Sequence, residues 1–211
     1  AELSRADLSR ADLSRATLTN TRFEGAVLIG AKLCDAEGKG ARFNDARLGQ
    51  ADLTGAALLE GSFNDIDAPG STWDKASLGG AVFLVAKLRG ASFQGASLDK
   101  TSFTQADLAS SNFQRGTGIA TDLRAAKLEA ADLRQAQLTN ATFDDADLRD
   151  LSATRSDLSG GRFFRADLSG ANLRAAKLGG ADFTQAKTDG ADFRDAEIAG
   201  IKIDPMAARL L

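Results

Sequence analysis

The side chains here that could do acid–base or metal chemistry are 29 Asp and Glu, balanced by 26 Lys and Arg, with Cys34 as the only thiol and no His. Zero His removes the commonest general base and metal ligand. A nucleophile would then need a Lys or carboxylate base in a dry pocket. One Cys excludes an internal disulfide and any cluster of Cys ligands. Cys34 reads as a lone outward thiol between Lys32 and Asp35, with nothing to activate it. The carboxylates recur at fixed spacing along the chain, among Lys and Arg, so the element that spaces them decides what they can do.

That element has a period of five. Cut from Ala1, the chain reads AELSR, ADLSR, ADLSR, ATLTN, and the frame holds through 41 repeats to Pro205. The third residue is Leu, Phe, Ile or Trp in 36 of the 41, and the first is Ala in 29. On an α-helix, five residues advance about 500°, so the large residues would form no stripe. In a continuous strand five is odd, so each would flip face. The chain must instead run extended for three residues and turn a corner in the last two. First and third residues then point inward and the second points out. Gly at 13 of the fifth positions suits that corner.

The Phe residues set the number of sides. Eight of the eleven centres spaced by twenty from Leu3 are Phe, from Phe23 to Phe183. One coil is therefore twenty residues with four sides, and about ten coils at ~4.8 Å make a rod roughly 50 Å long. ADLSR, ADLTG, ADFTQ and ANLRA resemble the A(D/N)LXX motif of the pentapeptide-repeat family, over essentially the whole chain. The resemblance implies a right-handed, four-sided (quadrilateral) β-helix, an all-β solenoid. Residues 1–205 are assigned to it. Residues 206–211 are assigned to a short helical C-terminal cap, with Asp204 as N-cap and Pro205 as the first helical residue.

A core filled by paired large and small residues leaves no room for a small molecule, so no cofactor, metal or substrate site and no enzyme activity are expected. Binding falls to the outer faces or the ends. A net charge of −3 and side charges of −2, −1, +1 and −2 make no acidic or basic stripe. Neither nucleic acid nor a membrane is an expected partner. On the second side the row Asp7, Val27, Arg47, Asp67, Lys87, Asp107 alternates in sign, which predicts ion pairs between coils. The column through Thr17 (Glu37, Ala57, Ser77) is no aligned Thr array of the kind that binds ice.

Four apolar residues fall at outward or corner positions: Val82, Leu84 and Val85, with Phe164 in the column of Leu84. They are the candidate partner-binding patch. Val27 and Ile29 are a similar pair on the next side. Ile66–Gly70 and Gly116–Ala120 lose the usual inward residues, which predicts a bulge or small loop at each; Trp73 is read as a core residue beside the first. Ala1 is in frame with no Met before it, which points to a rod cut from a longer protein, open to an end-to-end dimer. The expected role is a protein–protein scaffold or spacer, for instance in a bacterial secretion accessory protein. The single thiol and the lack of a secretory leader pattern point to the cytoplasm. The resemblance also implies an alternative: some relatives imitate DNA and protect gyrase, a type II topoisomerase, from quinolones.

Overall fold

The computed structural model describes residues 1–204. The chain winds as a right-handed β-helix in which the second residue of each repeat pairs in parallel with the residue twenty further on, from Glu2–Arg22 to Asp182–Lys202. In the middle this pairing lengthens into two strands, β1 (Thr117–Ile119) and β2 (Gln137–Thr139). Of the expected cap, residues 205–211 lie outside the described residues. Asp204, assigned to start it, accepts the Gln185 backbone N–H at 2.7 Å. No described helix is long and apolar enough to cross a membrane.

One coil shows how the pentapeptide makes a corner. Phe63 N–H donates to Val82 carbonyl oxygen at 2.7 Å, Val82 N–H to Gly61 at 2.9 Å, and Val85 N–H to Thr104 at 3.1 Å. Ala86 N–H closes the turn onto Phe83 at 3.3 Å. Each backbone donor of this repeat except that of the fourth residue is thus used, and the pattern recurs along the rod, with Ile66 N–H an exception. The fifth residue is left-handed throughout, with φ between 52° and 71° from Arg5 to Gly200. Only 13 of these 40 corners are Gly; the rest are mostly Arg, Asp, Gln, Asn, Lys and Ala. The coil-to-coil hydrogen bonds hold them in a region that L residues rarely enter.

The core is the stack of first and third residues, fully buried from about Leu18 to Phe183. The expected Phe column stacks: Phe23, Phe43, Phe63, Phe83 and Phe103 lie 4.6–5.0 Å apart centroid to centroid, with interplanar angles of 16° or less. Leu123 interrupts it, and Phe143, Phe163 and Phe183 resume it at 4.8 and 4.5 Å. A second column, not foreseen, faces it across the core. Trp73, Phe93 and Phe113 stack at 5.8 and 4.8 Å and meet the first column edge-on at 5.2–6.2 Å.

The bulges expected at Ile66–Gly70 and Gly116–Ala120 are absent. Ala68 N–H donates to Lys87 at 2.8 Å and Gly70 N–H to Arg89 at 3.0 Å, in unbroken register. The second segment contains β1 itself. Volume explains both. At the first segment large and small exchange places, so that Ile66 and Ala68 are both buried, as are Leu151 and Ala153 further on. The first is also tied internally: Trp73 Nε1–H donates to Ser71 Oγ at 2.7 Å, and that hydroxyl donates to Ala68 carbonyl oxygen at 2.7 Å. At the second segment neighbours fill the space. A Cβ on Gly118 would come within 2.5 Å of Thr121 Oγ1 and 3.1 Å of Leu98.

Candidate functional site

The fate of the carboxylates comes first, because it decides whether they are free for chemistry. The fourth residue's N–H is the donor that the coils leave unpaired, and the second residue's Asp or Asn takes it. Thr54 N–H donates to Asp52 Oδ1, Arg134 N–H to Asp132 Oδ1 and Thr184 N–H to Asp182 Oδ1, each at 3.0 Å. Where the fourth residue is Asn or Asp, it serves the coil above instead, as Asp74 does for Gln94 N–H at 2.9 Å. The motif's carboxylate is a backbone cap.

Arg at the fourth position then grips the same carboxylate. Arg134 Nη2 lies 2.6 Å from Asp132, Arg149 Nη2 2.6 Å from Asp147 and Arg194 Nη2 2.5 Å from Asp192. The Arg194 side-chain hydrogen bond, opposed by a smaller desolvation, holds Asp192 down at about 2. The Arg149 side-chain hydrogen bond likewise lowers Asp147. These carboxylates stay ionised and capped, so they are poor proton donors at neutral pH. The alternating row on the second side is present as a ladder. Among the described residues only Asp167–Lys187 meets directly along the row, at 3.5 Å; the other pair it makes between coils is diagonal. Asp147 turns to Arg149 on its own strand, where the cap orients the carboxylate, while Asp107 reaches diagonally to Arg89 on the neighbouring coil.

No group of three or more His, Cys, Asp or Glu among the described residues could hold a metal ion. Cys34 is half-buried rather than outward, with Sγ 3.9 Å from Asp52 carbonyl oxygen. Burial, and then Asp52, push its thiol pKa up, away from a reactive thiolate.

The patch residues sit on one coil of the first side and its following corner. Val82 is 37% exposed, Leu84 39% and Val85 43%. Val82 replaces the capping Asp, so Leu84 N–H turns to Asn64 Oδ1 of the coil below, at 3.2 Å. Val82 pairs with Ser62 and Ser102 on either side, and no charged residue occurs from Ala76 to Ala86. Val85 has φ 58° and is the one β-branched residue among the described corners. Such a residue there costs on the order of 1–2 kcal/mol. The corner's backbone holds the coil, through Val85 N–H to Thr104 and Val82 N–H to Gly61, while its apolar side chains stand exposed.

Phe164 does not join this patch. It lies four coils along the same column, half-buried beneath Arg165, whose guanidinium carbon is 4.8 Å from the ring centroid. Val27 and Ile29 are half-buried; Ile29 lines a shallow depression with Gly49 and Pro69. Besides the third-position Ile198 in the last coils, two more apolar residues are exposed without having been expected, Leu59 (40%) and Ile119 (57%). Both are fourth-position residues, which the outward-pointing rule would have flagged.

The family model described as pentapeptide repeat region matches residues 86–163, and that described as pentapeptide repeats (8 copies) matches 1–37, 21–58 and 162–201. The stretch between the matches, 59–85, contains Ile66, Trp73 and the patch. No curated protein matches the chain. Among solved structures, the chain is similar to HetL, a pentapeptide-repeat protein involved in heterocyst differentiation regulation in the cyanobacterium Nostoc sp. strain PCC 7120. They share 28% identity over 94% of this chain and 91% of that one, with a TM-score of 0.50. It is also similar in fold to trypsin-treated QnrB1, a plasmid-mediated fluoroquinolone resistance protein. That likeness has 17% identity over 100% of this chain and 96% of that one, with a TM-score of 0.55.

Proposed function

The chain belongs to the pentapeptide-repeat family, generally a structural, non-catalytic fold, and from that premise we propose that it is a rigid scaffold that docks a protein on its first side through Val82, Leu84 and Val85. The observation that carries this reading is Val82. It leaves the Leu84 N–H to be capped by Asn64 of the coil below and, beside a strained Val85, adds only exposed apolar surface. A rod whose backbone bonds repeat coil after coil changes shape little on binding, so such contacts act by presentation rather than by closure around a ligand.

The test is affinity capture with tagged wild type and Leu84→Glu. A protein retained by wild type and lost by the variant, with an unchanged Tm, supports the reading. A large fall in Tm would show that Leu84 is structural.

Gyrase protection draws less support. A DNA imitation must offer carboxylates at a density comparable to one phosphate per ~1.7 Å of duplex axis. Here the carboxylates are capped and gripped by Arg, and Arg162 and Arg165 interrupt the first side. Titration into a gyrase supercoiling assay, with and without a fluoroquinolone, is expected to give neither inhibition nor rescue.

A further inference from the structure

We infer that the occupant of the first side is a second copy of this chain, packed side by side and pointing the same way; this rests on the docking reading above. The patch selects the side, and the charges select the direction. The second and fourth residues of the first side form two outward columns, one on each side of a line along the rod. A two-fold axis along that line sets the second column of one copy against the fourth column of the other, row by row. Val82 then meets Leu84 of the second copy, twice over.

The remaining rows are compatible along the whole length. Arg22 faces Glu24, Asp122 faces Arg124 and Lys202 faces Asp204, while Arg162 comes over Phe164. No row of the second and fourth columns sets like charges against each other; at the corners Asp65 comes over Glu60 of the second copy, the one like-charge contact of this mode. Arg22 and Glu24 are already 3.2 Å apart within one chain, as Asp122 and Arg124 are at 2.5 Å, so dimerisation extends each pair into a four-charge cluster. The opposite direction, with patch still on patch, would set Arg42 against Asp122 and Glu2 against Arg162 but oppose Glu24 to Asp144 and Arg5 to Arg165; its like-charge contacts equal its opposite-charge ones, which disfavours that mode.

Val85 gains a reason here. At the corner it would lie over the second copy's Gly80–Ala81, where Gly80 carries no side chain and Ala81 points inward. The strip is ~50 Å long and ~10 Å wide, or about 500 Å² per copy, from coil and residue spacings. That is at the small end of specific interfaces, where association is weak and concentration-dependent. The three rows of the patch alone would be too small, so the agreement of the outer rows matters.

Sedimentation velocity from low micromolar to several hundred micromolar protein tests this. Wild type should pass from monomer to dimer. Leu84→Glu should weaken dimerisation at least about tenfold. So should Val82→Asp, which restores the motif's cap and keeps the fold intact; Leu59→Glu, off this side, should not. Direction is read from a spin label on Thr142→Cys in a Cys34→Ala background. Same-direction packing puts the two labels in one row, about 10–20 Å apart, and the opposite direction separates them by about 30 Å. A wild type that stays monomeric, equal loss in Leu59→Glu, or the longer distance would overturn the inference. A monomeric rod that still loses a different protein on Leu84→Glu would overturn it too, while leaving the docking reading in place.

Discussion

The coils between Phe63 and Phe113 and those between Phe143 and Phe183 share one backbone and differ in nearly everything hung on it. The first set packs two opposed aromatic columns, with the rings of Trp73, Phe93 and Phe113 edge-on to those of the Phe column. In the second set Leu133, Ala153 and Leu173 face a single column. Outside, the first set carries the uncharged stretch Ala76–Ala86, and the second carries Arg–carboxylate pairs at Asp144, Asp145 and Asp147 and a Lys187 pair at Asp167. The two sets show that core filling and surface chemistry vary independently here. The reason is that each coil's hydrogen bonds are made by backbone and caps, not by either set of side chains.

The largest expected effect follows from the aromatic contrast. Phe103→Ala should cost ~3–5 kcal/mol. Phe143→Ala should cost about 0.5–1.5 kcal/mol less, because Phe103 also meets Phe93 and Phe113 edge-on while Phe143 has no such partner. Phe164→Ala, on the outer column, should cost far less than either. Equal losses at Phe103 and Phe164 in denaturant titrations would mean the inward register is wrong.

Gly118→Ala probes the filled gap in the middle coils. The added Cβ meets Thr121 and Leu98, and overpacking of this kind costs about 1–3 kcal/mol. A neutral result would show that the neighbours yield.

Val85→Gly runs the other way. It relieves a β-branched left-handed corner and should raise stability by on the order of 1–2 kcal/mol while weakening dimerisation. A gain at Val85 with no such gain at Gln105→Gly, the same corner one coil on, would show that the strain belongs to the patch.

The smallest effect is the response to acid, which separates the two regions by charge. Carboxylates with lowered pKa include Asp7 and Asp52 in the first coils and Asp147, Asp167, Asp182 and Asp192 towards the C-terminal end. A carboxylate whose folded pKa is depressed stabilises the fold above its unfolded pKa and loses that contribution as pH falls through the folded value. For Asp192 the window runs from 3.8 down to about 2. Amide exchange, corrected for its intrinsic pH dependence, should rise in the C-terminal coils before the middle ones as pH falls through this range. Simultaneous loss would mean the Arg–Asp pairs add nothing to local stability.

Some outward positions were legible from spacing alone. Val82, Leu84 and Val85 fall at second, fourth and fifth positions, and those point out or sit at a corner whatever the neighbours are. Phe164 obeyed the same rule, yet its exposure depends on Arg165, which follows it and folds back over the ring. The expected bulges failed for a related reason: whether Ala68 or Gly118 leaves a gap depends on residues in other repeats.

The coil follows from residue spacing alone. A period of five, a Phe every twenty and a small residue two before each large one leave one winding, because each repeat repeats the same short-range turn. Tertiary structure decided what stands across the core and along the surface. Trp73, Phe93 and Phe113 read as exceptions until the coil places them opposite the Phe column. The carboxylates read as partners for cations one coil away; some pair so, as Asp145 does with Arg165, but those that cap a fourth-position N–H beside an Arg, such as Asp132 and Asp192, turn onto their own strand. Both depend on distances between groups far apart in the chain, and a one-dimensional period carries no such distances.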